Sequence, residues 1–247
     1  AREVFTWDEM CNVKVPILPI ERQREIVYWS KFISDRIQLN QNKIIKLERF
    51  AKAIYKSWFV EFEPVKEKIS KVSNKHHKYI DQLVPDELMN SAIGPIPKAW
   101  EVKPFDQLAT FSSGKRQSFI SEVKTPYAKY PLYGGNGIIG FTNQPLLNDP
   151  KVITTGRVGT IGKFHRVNQS SWMSDNALII DPLKNYYYCY FSLLNLNFDS
   201  ITRGSSNPLI TQGDLKKILI LNAPQCIHDI FEEICIKIFN QIDLKIS

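Results

Sequence analysis

No run of 18 apolar residues occurs in the 247-residue chain, so the sequence offers no segment able to cross a bilayer as a helix. Its first residues show no charged-then-apolar leader pattern, and no export signal is read there. Cysteine is scarce and scattered: Cys11, Cys189, Cys226 and Cys235 show neither a C-x-x-C pair nor a metal-ligand spacing to histidine. This speaks against a zinc site or a disulfide framework and fits reduced thiols in a cytoplasmic protein. Histidine is limited to four residues, and no Ser/His/Asp or Cys/His constellation emerges. An Asn-Pro-Pro-aromatic motif is also missing, so base methylation has no visible catalytic centre in this chain.

What is present is an ordinary globular composition, 43% hydrophobic and 23% charged, long enough to bury one or two cores. The net charge of +7 is unevenly placed. Residues 21–80 carry +7 and residues 98–203 carry +5, with mildly acidic stretches between and beyond them. Two positive regions of this kind suit a polyanion, although a solvated basic helix face accounts for the charge equally well.

Residues 1–42 and 206–247 read as two copies of one element offset by 205 positions. Thr6 falls on Thr211, Glu9 on Asp214, Pro19 on Pro224, Ile26 on Phe231, Ile33 on Ile238 and Ile37 on Ile242. Each copy runs from a short polar helix start through an alternating strand and a proline into a helix with an apolar seam. A repeat spaced by a whole domain implies two-fold pseudo-symmetry. The expectation is a chain cut from a longer protein, with a domain like residues 97–205 upstream.

From Ile26 to Trp58 a heptad seam can be written without a break: Ile26, Ser30, Ile33, Ile37, Asn40, Ile44, Leu47, Ala51, Ile54 and Trp58. Alternating spacings of four and three, with no proline or glycine, predict a coiled coil over residues 21–64. Pro64 is expected to end it near Phe62, giving a rod of roughly 65 Å. Asn40 either fixes register in the seam or faces solvent. The closing helix, 225–247, is apolar nearly all round and must pack against the long helix or a partner subunit. Ile33, Ile37, Asn40, Ile44, Leu47, Ile54 and Trp58 are the candidate interface residues.

Between the helices, residues 65–96 read as a connector and 97–224 as an α+β domain with a curved sheet and many loops. Residues 1–20 read as the end of a preceding domain, repeating 206–225. Three motif matches fail on context. Gly135-x-Gly137-x-x-Gly140 fits a dinucleotide fingerprint but is followed by Phe141-Thr142-Asn143-Gln144-Pro145 rather than a helix. Gly156 to Lys163 lacks the glycine spacing of a P-loop, and Phe164 stands where Ser or Thr is needed. Asp86, Glu101 and Lys103 loosely match a Mg²⁺-dependent nuclease pattern, which is kept as the enzymatic alternative.

The better signal is for DNA. Lys151, Arg157, Lys163 and Arg166 fall in a stretch with no acid, interleaved with Gly156, Gly159 and Gly162, whose backbone can approach phosphates closely. Thr160 lies in the same loop. Ser113, Lys115 and Arg116 form a second basic loop, and Arg203 marks a third. Asn136, in a Gly-Gly-Asn-Gly turn, carries an amide able to read an adenine edge bidentately. A structural adaptor that binds no DNA is the remaining alternative.

These residues lead to a family. The stretch Ala53-Ile54-Tyr55-Lys56-Ser57-Trp58-Phe59-Val60-Glu61-Phe62-Glu63-Pro64-Val65 resembles the end of the central conserved helix of type I restriction–modification specificity subunits. Gly94-Pro95-Ile96-Pro97-Lys98-Ala99-Trp100-Glu101-Val102 resembles the entry to their second target-recognition domain. Tyr130 to Gly137, Gly156 to Gly162 and Gly204 to Pro208 resemble recurrent segments of such domains. The resemblance implies a non-catalytic subunit with antiparallel helices, reading one half of a bipartite DNA site and docking methyltransferase and restriction subunits. It implies no cofactor on this chain, with S-adenosylmethionine, ATP and Mg²⁺ held by those partners. It also implies either a C-terminal piece or a half-subunit that self-associates.

Overall fold

Forty consecutive residues without proline or glycine form one helix, α2 (Ile20–Phe59), about 60 Å long in the computed structural model. The structure describes residues 6–14, 16–71, 80–158, 162–198 and 209–246. Pro19 caps the start of α2, where its missing N–H is no loss. The helix ends at Phe59, three residues earlier than expected. Phe62 then adopts a left-handed conformation (φ 55°), and Pro64 sits in the first turn of α3 (Glu63–Ile69). The proline opens a new helix instead of closing the long one, because only the first turn tolerates its ring and lost donor.

Helix α6 (Gln225–Ile246) runs antiparallel to α2. Near its start, Phe231 meets Tyr55, Trp58 and Phe59, whereas Phe239, farther along, shares a cleft with Ile45, Glu48 and Arg49. Its inward stripe, Ile227, Phe231, Cys235, Ile238, Phe239 and Ile242, is buried. Of the expected seam on α2, Ala51 and Trp58 are buried, and Ile44, Leu47 and Ile54 are half-buried against the same core. Asn40 is half-buried, at the margin of the paired region. Ile33 and Ile37 are 55% and 53% exposed. Within the chain the pairing therefore covers only the C-terminal half of the predicted coiled coil, because the 22 residues of α6 reach only about 33 Å.

The repeat appears in the caps. Thr6 opens α1 (Trp7–Cys11) and Thr211 opens α5 (Gln212–Lys216), each through a reciprocal capping box, with Glu9 and Asp214 respectively. After α5 comes strand β11 (Leu219–Asn222), paired antiparallel with β3 (Glu101–Pro104). The equivalent stretch after α1 forms no strand among the described residues. A strand needs a neighbour to take its backbone groups, and β3 is already used by β11. The stretch expected as a plain connector holds α3 and a hairpin, β1 (Leu88–Ser91) with β2 (Gly94–Pro97).

The domain's centre is an antiparallel sheet ordered β4 (Ala109–Ser113), β10 (Ala177–Pro182), β7 (Val152–Gly156) and β8 (Phe164–Val167). On β10, Leu178 and Ile180 join the main core with helix α4 (Tyr186–Leu194) and α6, whereas Ala177 and Ile179 face a second core. Alternation along a strand buried on both faces explains the unbroken apolar run in the sequence. The second core, with Tyr133 and Met173, is closed by a smaller sheet of β6 (Gly137–Thr142), β5 (Tyr130–Gly134) and β9 (Trp172–Met173). Helices joined to mainly antiparallel sheets, with β5 and β9 as a parallel pair, make the α+β class expected.

Candidate nucleic-acid interface

Strand direction sorts the candidate residues. The C-terminal ends of β4 and β7 and the N-terminal ends of β8 and β10 share one edge of the central sheet. That edge collects Ser113 at the end of β4, Lys115 and Arg116 after it, Arg157 after β7 and Lys163 before β8. The opposite edge lies against α4 and α6.

The β5–β6 turn reaches the same edge. Gly135 and Gly156 touch so closely that a Cβ on Gly156 would stand 2.7 Å from the Gly135 Cα, so neither position has room for a side chain. Gly137 takes φ +105°, a left-handed value that glycine supplies without strain, and a Cβ there would lie 3.2 Å from Cε1 of His165. These contacts seat the turn on β7 and β8 and present Asn136 to solvent. The Gly-rich spacing thus serves a close backbone crossing and a turn, with no helix behind it to hold a pyrophosphate.

The basic loop after β4 is also fixed by its backbone. The Lys115 N–H donates to the Met173 carbonyl at 2.9 Å, and the Trp172 indole donates to the Lys115 carbonyl at 2.7 Å. Ser113 is half-buried, with the Gln212 amide accepting from its N–H (3.2 Å) and Oγ (2.9 Å) and donating to the Phe111 carbonyl (3.2 Å). The Arg157 backbone donates to the Asn176 carbonyl at 3.0 Å. The backbones of Lys115, Arg157 and Lys163 are anchored, the last by Thr155 Oγ1 donating to its carbonyl at 2.8 Å, and Lys115, Arg116 and Lys163 are exposed and Arg157 half-exposed. None of these four cations makes an ion pair among the described residues. His165, beneath the turn, has its pKa lowered by burial and then by the Lys163 charge, which keeps the ring neutral near pH 7. Neither the support from His165 nor that from Gln212 was anticipated. A histidine one residue from a basic position gave no sign of which turn it would underlie.

Two candidates are placed elsewhere. Lys151 lies over the rings of Tyr186 and Tyr187 at 5.0 and 5.2 Å. Arg166 stacks on Phe239 at 3.8 Å and pairs with Asp243 at 3.6 Å. Both stand at the helix-facing edge, clamping α4 and α6 to the sheet, and are not gathered with the other cations. Thr160 and Arg203 lie outside the described residues. For the nuclease pattern, Glu101 and Lys103 pair with each other at 2.6 Å on β3, and Asp86 precedes the β1–β2 hairpin. Among the described residues no three His, Cys, Asp or Glu side chains gather as a metal cluster, and nothing supports that alternative.

One edge thus bears four cations, unpaired among the described residues, with a rigid glycine turn and an exposed amide. The family model for the type I restriction modification DNA specificity domain matches residues 97–238. The chain belongs to this family. The chain is 25% identical to the type I restriction enzyme MjaIX specificity subunit of Methanocaldococcus jannaschii, over 94% of this chain and 55% of that protein. It is 22% identical to the HindI specificity subunit of Haemophilus influenzae, over 96% of this chain and 65% of the relative. The chain therefore spans between half and two-thirds of the length of these relatives. Among solved structures, the HsdS subunit from Thermoanaerobacter tengcongensis is similar over 98% of this chain and 57% of its own, with 13% identity and a TM-score of 0.49.

Proposed function

We propose that this specificity-family chain is a non-catalytic DNA-reading unit of a type I restriction–modification complex. It reads one half of a bipartite site through the edge that carries Lys115, Arg116, Asn136, Arg157 and Lys163. Its helices dock methyltransferase subunits and, through them, restriction subunits. The cofactor chemistry of S-adenosylmethionine, ATP and Mg²⁺ resides on those partners, and the complex works in the cytoplasm. No described helix is long and apolar enough to cross a membrane.

The observation that carries this reading is the gathering of cations, exposed or half-exposed and unpaired among the described residues, with Asn136 at one sheet edge, away from the helices. Phosphate contacts from such cations position a protein on DNA, and an amide on a rigid turn can discriminate bases. Fluorescence anisotropy with duplex DNA across a salt series tests it. The Arg157→Ala, Lys163→Ala double variant is expected to bind more weakly, with a salt slope shallower by about 2, one unit per lost phosphate contact. Lys151→Ala, on the opposite edge, is expected to bind as the parent does. A double variant indistinguishable from the parent would sink the assignment. Incubation of the chain with Mg²⁺ and plasmid separates the enzymatic alternative, for which the expected result is intact plasmid.

A further inference from the structure

Behind Asn136 the first strand residues are apolar and open to solvent. Ile138 is 51% exposed and Ile139 is 54% exposed, although Pro131 to Gly134 on the paired strand β5 are buried. The β5–β6 register shifts between Leu132 and Tyr133, which leaves Ile139 as the extra residue of a bulge, and both isoleucines stand open to solvent beside the turn. Beyond Tyr133, where β9 ends its pairing, the tip is a two-stranded antiparallel ribbon. The apolar surface continues from it: Ile120 packs beside Gly140, and a bridge joins Ser121 to Phe141. Its rim carries Lys115, Arg116 and Lys163, and the acids nearest to the hairpin in sequence are Glu122 and Asp149.

A surface that is cationic at its rim, amide-bearing at its tip and apolar just behind it fits one occupant well. The major groove of duplex DNA is wide enough for a two-stranded ribbon, has phosphates along its walls and displays thymine methyl groups on its floor. We propose that the β5–β6 hairpin is the major-groove reader. In this reading Asn136 takes an adenine edge while Ile138 and Ile139 contact thymine methyls, so the half-site carries adenine–thymine pairs where the tip enters. The proposal rests on the DNA-binding reading above and adds to it the reading element and the class of base pair. The close seat of Gly135 on Gly156, and of Gly137 on His165, holds the tip at a fixed depth, which discrimination by a single methyl group requires.

The test uses the full chain and a pool of duplexes with a randomised centre, with the bound fraction sequenced. The enriched duplex is then remade with deoxyuridine replacing thymidine one position at a time, which removes only the methyl group. The expected result is an enriched motif containing adenine–thymine pairs, with uracil at one or two of them weakening binding about fourfold each. Ile138→Ala and Ile139→Ala variants should lose that sensitivity while keeping low-salt binding to random DNA. An enriched motif whose binding is indifferent to uracil at every position overturns the hairpin proposal and leaves the DNA-binding reading standing. A pool with no bound or enriched fraction overturns both. Because the uracil comparison is made on the unaltered chain, it does not depend on how any variant folds.

Discussion

Individual side chains show how charge counting misleads and what corrects it. Lys151, Arg157, Lys163 and Arg166 are equivalent in the sequence, a basic run without acids. Strand register divides them: Arg157 follows β7 and Lys163 precedes β8 at one end of the pair, and Lys151 and Arg166 fall at the other end, over aromatic rings. The overlooked signal was the Tyr186-Tyr187-Tyr188 run, which supplies faces for a cation to cover. A second residue, His228, carries a prediction about pH. Its ring is buried, stacked on Phe59 at 5.6 Å and edge-on to Tyr188 at 4.3 Å. Burial lowers its pKa from 6.5 to about 4, against smaller opposing effects from Asp229 and the Ala223 backbone. The unfolded chain takes up this proton below pH 6.5, whereas the folded chain resists until about pH 4. Stability is therefore unaffected by this group above pH 6.5 and falls as pH drops through that window, by up to about 3 kcal/mol. Glu232, its pKa raised by burial, acts in the opposite sense just above pH 4.5. Urea unfolding at pH 7 and pH 5 should show the loss, and a His228→Phe variant should lose less. An equal acid loss in both proteins would remove His228 as the cause.

Elements were more legible than their boundaries. The 3.5-residue period announced α2, and the apolar stripe of α6 announced a buried helix, because each pattern extends over many turns and survives local exceptions. The end of α2 was misplaced because proline was treated only as a stop, whereas position within the first turn decides what proline does. The β1–β2 hairpin was missed because its two strands are four residues each, too short for alternation to register. The candidate edge was half legible: the basic loops could be named, but which of them converge depends on pairings between distant strands. The helix pair also makes a prediction at this scale. Phe231 is fully buried among Tyr55, Trp58, Phe59 and Phe191, so Phe231→Ala should cost about 3–5 kcal/mol by loss of contact and cavity formation. Ile37→Asp, on the exposed half of the same seam, should leave the unfolding of the isolated chain within about 0.5 kcal/mol of the parent. If that half docks a partner, the same substitution should abolish co-sedimentation with methyltransferase subunits. A large loss of stability from Ile37→Asp would mean that the exposed half already packs against something within the chain or its own copies.

For the whole molecule, the net charge of +7 is a poor guide to how DNA is held, because the charge is split between rod and sheet edge. What matters is how many cations reach phosphates at once. Lys115, Arg116, Arg157 and Lys163 share the reading edge, so full engagement releases about four counterions and gives a slope of log K against log salt near −3.6. Arg203, outside the described residues, would steepen this by about one unit if it too met a phosphate. The rod carries its own cations, among them Arg24, Lys31, Lys46, Arg49 and Lys52. The five residues of β7 separate Arg157 from Lys151 and the helices by about 17 Å, more than a Debye length of about 8 Å at physiological salt. DNA seated on the reading edge therefore runs beyond the effective reach of the rod. Lengthening the duplex from about one helical turn, roughly 10 base pairs, to about three turns should raise the overall affinity through additional registers but leave the slope unchanged. A slope that steepened with length by several units would place the duplex along the rod, and the division between a reading edge and a spacing helix would be wrong.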